Sequence, residues 1–348
     1  MKKLIKGNIA LCEGALAAGL HAYFGYPITP QNEIPAYMSR KMVELGKVFV
    51  QAESELAAAN MVLGAAVTGV RAMTSSSSPG ISLKQEAISY MAGMQLPSLI
   101  VNVQRGGPGL GNISGSQSDY FQAVKGGGHG DYRIIVLAPN SAQEMYETAY
   151  DAFDLAEKYR TPVMILADGI TGQMMEPVEF NKLEKKYFEE KDWHLTGCKD
   201  RNPRSIQSLL MKDGVLEQHN INLQQKYNTI AENEIKYETY KTEDAEIVIT
   251  AYGISSRIAK SAVKIARKEG LKAGLFRPKT LWPFPSKEIS FLSDSGTKFL
   301  SVELSHGQMI EDVKLAVNGK TQVEFLGKAG GGIVTEREIV EKIKEMIL

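Results

Sequence analysis

Short runs rich in β-branched residues alternate with longer stretches of helical spacing in the first half of the sequence. The apolar runs lie at 48–50, 99–103, 134–137 and 163–166, and helical spacing marks 55–67, 83–94 and 141–159. This alternation predicts βαβ units, in which strands form a parallel sheet with helices on both faces. The run at 99–103 is almost entirely apolar, as expected of a strand that is covered on both sides.

The same alternation stops near residue 181 and resumes near residue 244. Charged and amide residues dominate between these points, which predicts a surface excursion and linker with some helix. Strand-like runs then follow at 246–250, 271–276, 298–302 and 322–326, and an amphipathic helix is predicted over 335–346. The 348 residues are enough for two domains. We therefore predict an N-terminal α/β domain at 1–180, a polar linker at 181–243 and a smaller C-terminal α/β domain at 244–348.

Composition argues against several classes of protein. Lys and Arg together number 40 and equal Asp and Glu, so no basic surface for nucleic acid is expected. Two cysteines, Cys12 and Cys198, are too few for a disulfide framework or for the four thiolates of an iron–sulfur cluster. Polar residues interrupt the apolar stretch near the N-terminus, and no run of 18 apolar residues occurs. We therefore expect neither export nor a membrane segment, and a reducing cytoplasm as the setting.

Common cofactor and hydrolase motifs are absent from the sequence. Asn112 replaces the third glycine of a dinucleotide-binding pattern, and Lys314 replaces the first glycine of a P-loop. The sequence has no H-E-x-x-H zinc motif and no G-x-S-x-G nucleophile elbow. We therefore predict no metal site on this chain.

The loop at 25–30 follows a strand end and reads Gly-Tyr-Pro-Ile-Thr-Pro. In a parallel sheet such loops hold ligands, and the two prolines restrict the backbone around Thr29. Thr29 would then present its hydroxyl at a defined place. Alternatively, Thr29 is the N-cap of a helix that begins at Pro30, and both interpretations can hold together.

Two further loops carry charge at predicted strand ends. At 51–55 either Glu53 or Glu55 is a candidate for a buried carboxylate that addresses a ligand, and the alternative is that both complement a helix dipole. At 104–109 Arg105 lies beside a glycine loop and is a candidate to bind a carboxylate or a phosphate. The alternative is a surface arginine in a loose turn. His129 lies in a glycine-rich stretch that we interpret as a rim or lid, with direct chemistry by His129 disfavoured.

Several of these segments together resemble one family, in order and at the family's spacing. The chain is similar to the α subunit of 2-oxoacid:ferredoxin oxidoreductases, most of all to the branched-chain (2-oxoisovalerate) type or the 2-oxoglutarate type. The resemblance covers most of the chain, with the polar linker its weak part. The segments that carry it are Tyr26-Pro27-Ile28-Thr29-Pro30, Glu53-Ser54-Glu55, Gln104-Arg105-Gly106-Gly107-Pro108, Ser116-Gln117-Ser118-Asp119 and His306-Gly307-Gln308-Met309-Ile310-Glu311-Asp312-Val313.

The resemblance implies a doubly wound pyrimidine-binding domain for thiamine diphosphate and a transketolase C-terminal-like domain that mainly serves assembly. It implies a partner β subunit that holds the diphosphate, Mg²⁺ and a [4Fe–4S] cluster, together with γ and δ subunits. The family's Gly-Asp-Gly diphosphate motif is missing here, since Ala167 precedes Asp168-Gly169. The chain would then form half of an active site and be inactive alone.

The resemblance also implies roles for individual residues. Glu55 would hydrogen-bond the pyrimidine ring of the cofactor and promote loss of the thiazolium proton, and Glu53 stays open as an alternative. The segment Tyr26-Pro27-Ile28 would contact the cofactor. Arg105 would pair with the substrate carboxylate, and Thr29 would contact the substrate near its reactive carbonyl.

The implied reaction is coenzyme A-dependent oxidative decarboxylation of a 2-oxoacid, with electrons passed to ferredoxin. Of the two substrate types, 2-oxoisovalerate is expected before 2-oxoglutarate. Two other interpretations stay open at this point. The chain could be the β chain of a thiamine-dependent dehydrogenase that reduces lipoamide, or a non-catalytic scaffold subunit of the same fold.

Overall fold

The computed structural model describes residues 2–180, 186 and 190–347, so residues 181–185 and 187–189 of the predicted linker lie outside the described residues. The helices described are α1 (Gly7–Ala17), α2 (Glu33–Glu44), α3 (Glu55–Val67), α4 (Ser78–Gly93), α5 (Ala142–Tyr159), α6 (Gly169–Gln173), α7 (Val215–Asn233), α8 (Gly253–Lys268), α9 (Ser286–Ser293), α10 (Met309–Val317) and α11 (Glu336–Ile347), with a π-helical turn at Gln122–Gly126. The strands described are β1 (Lys2–Lys6), β2 (Ala22–Gly25), β3 (Val48–Gln51), β4 (Ala72–Ser76), β5 (Ser98–Gln104), β6 (Ile135–Leu137), β7 (Pro162–Asp168), β8 (Met175–Glu179), β9 (Tyr237–Tyr240), β10 (Ile247–Thr250), β11 (Ala273–Pro278), β12 (Thr280–Trp282), β13 (Lys298–Glu303) and β14 (Val323–Gly327).

The larger sheet has the strand order β12-β6-β7-β5-β4-β2-β3. Its strands run parallel except β12, which crosses from the second half of the chain and pairs antiparallel with β6. Every residue of the central strand β5 is buried, because helices cover both faces. The predicted parallel α/β sheet is confirmed, and all four predicted apolar runs of the first half are strands in it.

Strand β4 was not predicted, because its sequence Ala-Met-Thr-Ser-Ser is polar. All five of its residues are nevertheless buried in the middle of the sheet. One of its hydroxyls, Ser75 Oγ, lies 2.7 Å from Tyr23 Oη and donates to Gln31 Oε1 at 2.6 Å. Buried hydroxyls are tolerated when they are hydrogen-bonded in this way. Partners from β2 and the loop after it thus make a polar strand possible in the interior.

The second sheet has the order β14-β13-β10-β11-β9, with only β9 antiparallel to its neighbour. Strand β9 lies in the segment predicted as a linker. The same segment contains α7, whose Leu223, Tyr227 and Ile230 are buried against the core of the first half. Their spacing of four and three residues is typical of one helix face, but amide and charged residues dilute the pattern. The domain limits at 180 and 243 stay a prediction.

Buried polar contacts join the two halves. Gln117, fully buried, accepts hydrogen bonds from Ser255 Oγ at 2.7 Å and from the amide of Leu304 at 3.0 Å, and it donates to Tyr252 O at 2.8 Å. Arg277, from β11, donates to Glu144 of α5 through both terminal nitrogens. A buried guanidinium with two carboxylate bonds is a strong and directional tie.

The tie between Arg277 and Glu144 predicts a dependence of stability on pH. Burial alone would raise the pKa of Glu144, but the hydrogen bonds and charge of Arg277, with help from Lys279, lower it to about 2. A carboxyl whose pKa is lower in the folded state stabilises it above the pKa of the unfolded chain, and that contribution disappears as the pH falls through the folded value. In urea unfolding, the stability advantage of the native chain over Glu144→Gln should therefore shrink by about 2–3 kcal/mol between pH 7 and pH 2.5.

Glu147→Gln is the matched control, because Glu147 lies on the same helix and bonds to neutral Gln143 at 2.9 Å. Its difference from the native chain should stay nearly constant over the same pH range. A constant difference for Glu144→Gln as well would show that the ion pair contributes little.

Candidate active site at the carboxyl edge of the large sheet

The neighbouring strands β5, β4, β2 and β3 run parallel, so their carboxyl ends meet at one edge of the large sheet. Gly25 is in register with Gln51 across β2 and β3, and Ser76 with Asn102 across β4 and β5. The three loops singled out in the sequence leave the sheet at these points. This is the edge at which open α/β sheets hold ligands, and the structure brings all three loops together there.

Glu55 begins α3 and is only 7% exposed, whereas Glu53 is exposed. Ser54 caps the helix by accepting a hydrogen bond from the Ala57 amide at 3.2 Å. Within the described chain, no side chain or amide donates a hydrogen bond to the Glu55 carboxylate. A Cβ atom at Gly80 would lie 2.6 Å from Glu55 Oε1, so glycine there leaves room for the carboxylate. The first turn of α3 therefore presents a buried carboxylate that is free to bind.

Thr29 lies partly buried in the turn that precedes α2. Its Oγ1 accepts a hydrogen bond from Asn32 Nδ2 at 3.1 Å, and α2 begins only at Glu33. The alternative that Thr29 caps a helix starting at Pro30 is therefore wrong. Tyr26, Pro27 and Ile28, earlier in the loop, are partly or fully exposed along the same edge.

Buried amides hold the turn at Thr29 in place. The carbonyl of Pro30 accepts hydrogen bonds from Asn8 Nδ2, at 2.9 Å, and from Gln173 Nε2. Gln31 is fully buried and accepts from Ser75 on β4 at 2.6 Å. Because three separate elements anchor the two residues that follow Thr29, its hydroxyl has a defined position.

Arg105 follows β5 and is 6% exposed, so the alternative of a surface arginine in a loose turn is wrong. Its terminal nitrogens donate to two neutral carbonyls, Thr29 O at 2.9 Å and Leu110 O at 3.0 Å. Its Nε is buried without a hydrogen-bond partner, and no carboxylate of the described residues forms an ion pair with it. A buried cation without a counter-charge is unfavourable, so this guanidinium suits an anionic ligand.

Sequence reasoning missed Lys84, which is fully buried on α4 behind Glu55. Lys84 occupies the apolar stripe that Ile81 and Ile88 define at positions i, i+3 and i+7. A lysine on such a stripe is the signal that would have found it, because lysine is rarely buried without a specific partner.

Asp119 of the segment 116–119 also lies near Arg105. Its Oδ2 accepts hydrogen bonds from Ser78 Oγ at 2.6 Å and from Asn102 Nδ2 at 2.9 Å. Burial raises the pKa of Asp119, and these hydrogen bonds oppose that rise. Ser78 also bonds to the main chain of Arg105 at 3.0 Å, so Asp119 braces the start of α4 against the end of β5.

His129 is exposed, and its Nδ1 lies 3.3 Å from Ser89 Oγ. Ser89 is near the far end of α4, which begins at the active edge with Ser78. The rise of an α-helix per residue places Ser78 and Ser89 about 16 Å apart. The structure therefore brings Thr29, Glu55 and Arg105 together but leaves His129 away from them.

The segment 306–313 joins the two halves. Gln308 donates to Ser118 O at 2.7 Å and accepts from the amide of Phe121 at 2.8 Å. Asp312 accepts a hydrogen bond from Tyr120 Oη at 2.6 Å. The segment 306–313 thus holds in place the residues around Asp119, which lie behind Arg105.

The described residues contain no group of three or more His, Cys, Asp or Glu side chains placed to hold a metal ion. No helix in the same part of the chain is long and apolar enough to cross a membrane.

Two family models match consecutive parts of the chain. Residues 13–252 match "Pyruvate flavodoxin/ferredoxin oxidoreductase, thiamine diP-bdg", and residues 245–339 match "Pyruvate:ferredoxin oxidoreductase core domain II". The chain belongs to the 2-oxoacid:ferredoxin oxidoreductase family. It is therefore a subunit of an oxidoreductase of this class, and its first domain is of the family's thiamine diphosphate-binding type.

Two curated relatives match over almost their full length. The ketoisovalerate oxidoreductase subunit VorB of Methanothermobacter marburgensis is 53% identical over 344 residues, which is 99% of this chain and 97% of that protein. The 2-oxoglutarate synthase subunit KorA of the same organism is 38% identical and covers 98% of each chain. Relatives of this kind are subunits of multi-subunit oxidoreductases, so the predicted family and enzyme class are confirmed.

Solved structures share the fold. The 2-oxoglutarate:ferredoxin oxidoreductase of Magnetococcus marinus, solved with 2-oxoglutarate, coenzyme A and succinyl-CoA bound, aligns with a TM-score of 0.87 at 27% identity. The alignment covers all of this chain and 65% of that one. A split-gene transketolase, described as an inactive β4 tetramer, aligns over 98% of this chain with a TM-score of 0.59 at 11% identity. The predicted pyrimidine-binding and transketolase-like architecture is confirmed.

Proposed function

We propose that this chain is the α subunit of a 2-oxoacid:ferredoxin oxidoreductase and supplies the pyrimidine side of a shared thiamine diphosphate site. One observation carries the proposal. A buried carboxylate without a hydrogen-bond donor in the described chain, Glu55, lies at the same sheet edge as a buried guanidinium without a carboxylate partner there, Arg105. Glycine at position 80 leaves room for the Glu55 carboxylate, because a Cβ atom there would lie 2.6 Å from Oε1.

The roles proposed for the residues follow from their chemistry. Thiamine diphosphate, when bound, supplies a thiazolium carbon that adds to the 2-oxo group and accepts the electrons left by carbon dioxide. Glu55 would hold a proton at the pyrimidine nitrogen and relay it. Arg105 would bind the substrate carboxylate, and the hydroxyl of Thr29 would bond to the carbonyl oxygen. Tyr26, Pro27 and Ile28 would form the wall along the cofactor.

The same proposal assigns the remaining cofactors to partner subunits. The whole sequence holds two cysteines, one buried and one exposed, where a [4Fe–4S] cluster needs four thiolates. A β subunit would carry the cluster, Mg²⁺ and the diphosphate, with γ and δ subunits and ferredoxin receiving the electrons. Coenzyme A would take the acyl group. A reducing cytoplasm suits such a complex.

A count of charges supports 2-oxoisovalerate as the substrate, with 2-oxoglutarate second. Among the loops described at this edge (26–32, 52–55, 77–78 and 105–115), Arg105 is the one basic side chain. One cation suits a substrate with one carboxylate, whereas 2-oxoglutarate would need a second cation from a partner. Leu110, whose carbonyl contacts Arg105, is 80% exposed and offers an apolar neighbour for a branched side chain. The 53% identity to a ketoisovalerate oxidoreductase subunit agrees.

The test is anaerobic co-purification with the partner subunits, followed by a 2-oxoacid panel. We expect viologen reduction that depends on both coenzyme A and thiamine diphosphate, with the highest kcat/KM for 2-oxoisovalerate. Reduction of lipoamide in place of viologen would favour the dehydrogenase interpretation. An assembled complex without activity toward any 2-oxoacid would favour a scaffold and overturn the proposal.

A further inference from the structure

The side chain of Lys84 is completely buried between α4, α3 and β4. Its Nζ donates to Thr74 Oγ1 at 2.8 Å and to the main-chain carbonyl of Glu55 at 3.3 Å. No carboxylate of the described residues lies within ion-pair distance of it. The amine is therefore held by two neutral oxygens in the interior, an unfavourable arrangement for a cation unless something nearby compensates for it.

Lys84 lies one helical turn after Gly80 on the same face of α4. Gly80 adjoins the Glu55 carboxylate, since a Cβ atom there would approach Oε1 to 2.6 Å. One face of α4 thus contacts both ends of the same residue, with Gly80 at its carboxylate and Lys84 at its carbonyl. Glu55 is the first residue of α3, so a bond to its carbonyl also fixes how the helix starts.

The electrostatics couple the two side chains. Burial lowers the pKa of Lys84 to about 7, and the negative charge of Glu55 opposes that decrease. Among the described residues, Glu55 supplies the charge that acts on Lys84. Thr74 on β4, which accepts the other hydrogen bond of Lys84, is neutral.

We propose that Lys84 is a positioning residue for Glu55: its amine donates to the Glu55 carbonyl, fixes the first turn of α3 and so holds the Glu55 carboxylate in place at the proposed cofactor site. The inference rests on the proposed function and extends it to a residue that never touches substrate or cofactor. A methionine would fill the same volume, so packing alone does not explain a lysine here.

The test is Lys84→Met in the assembled, thiamine diphosphate-loaded complex. The first readout is the rate of hydrogen–deuterium exchange at the thiazolium carbon, and the second is the affinity for thiamine diphosphate by calorimetry. Without the hydrogen bond to its carbonyl, Glu55 should lose its fixed position, so exchange should slow about tenfold. The affinity for the cofactor should fall as well.

Three further variants keep the result interpretable. Lys84→Gln retains a hydrogen-bond donor and should recover part of the exchange rate, which a packing role alone would not predict. Lys226→Met removes a half-buried lysine that contacts Gln95 Oε1 at 3.2 Å on the far side of the domain, and it should leave the exchange rate unchanged. In a Glu55→Gln background, Lys84→Met should slow exchange no further, because the group it positions is gone.

An exchange rate for Lys84→Met equal to that of the native complex, or equal losses in Lys84→Met and Lys84→Gln, would overturn the inference. That failure is distinct from failure of the proposed function. If exchange in the native complex responds to Glu55→Ala but not to changes at Lys84, only the role of Lys84 is wrong. If exchange does not respond to Glu55→Ala either, the site itself is wrong.

Discussion

Replacement of Glu55 by alanine in the assembled complex is expected to slow hydrogen–deuterium exchange at the thiazolium carbon, and 2-oxoacid-dependent viologen reduction with it, by about 10²–10⁴-fold. That range is typical for loss of a positioned acid–base group. The carboxylate is buried and takes no hydrogen bond from the described chain, so no neighbour is placed to substitute for it. Exchange measured by NMR after acid quench gives the rate of this step directly.

Glu53→Ala is the matched control, because it removes the same negative charge from an exposed position two residues before Glu55. Its exchange rate should stay within a few-fold of the native value. Glu55→Gln should be nearly as slow as Glu55→Ala, since an amide fills the space but cannot relay a proton. A large loss for Glu53→Ala with a small one for Glu55→Ala would reverse our assignment of the two carboxylates.

Replacement of Arg105 by alanine is expected to lower kcat/KM for 2-oxoisovalerate by about 10–150-fold, which corresponds to the roughly 1.5–3 kcal/mol of a charge-assisted hydrogen-bond pair. Most of the loss should be in KM, because the carboxylate is bound in the ground state as well as in the transition state. Thiazolium proton exchange, measured without substrate, should change little. Steady-state kinetics and exchange on the same preparation separate the two effects.

Arg105 also braces two carbonyls, so its substitution needs structural controls. Arg105→Lys keeps the charge but loses the planar fork, and it should recover part of the loss. Added guanidinium should rescue Arg105→Ala if the missing group is the anion-binding cation. Kinetics equal to those of the native complex would show that Arg105 only holds the loops at Thr29 and Leu110.

The two predictions probe separate functions of one sheet edge. Glu55 is expected to affect activation of the cofactor before substrate binds, whereas Arg105 is expected to affect recognition of the 2-oxoacid. Thr29 connects the two, because its carbonyl accepts from Arg105 and its hydroxyl lies in the adjacent turn. A variant that alters both measurements equally would point to movement of the whole edge.

The sequence alone determined the local elements and the candidate residues. Helix α3 was predicted at its observed limits, because an N-cap serine and a run of helix-forming residues act within a few positions of the chain. The apolar strands β3, β5, β6 and β7 were found for the same reason, since their signal is local. The motifs with Thr29, Glu55 and Arg105 were recognised from their own residues and spacing.

Tertiary structure alone decided which of these residues are buried and what they face. Glu53 and Glu55 are alike in sequence, and only the packing of α4 distinguishes the buried one from the exposed one. Strand β4 and the buried face of helix α7 escaped prediction, because their burial depends on partners far away in the chain. Lys84 acquires a role only through its contact with Glu55, 29 residues earlier. Burial and electrostatic coupling arise between segments distant in sequence, so no local pattern encodes them.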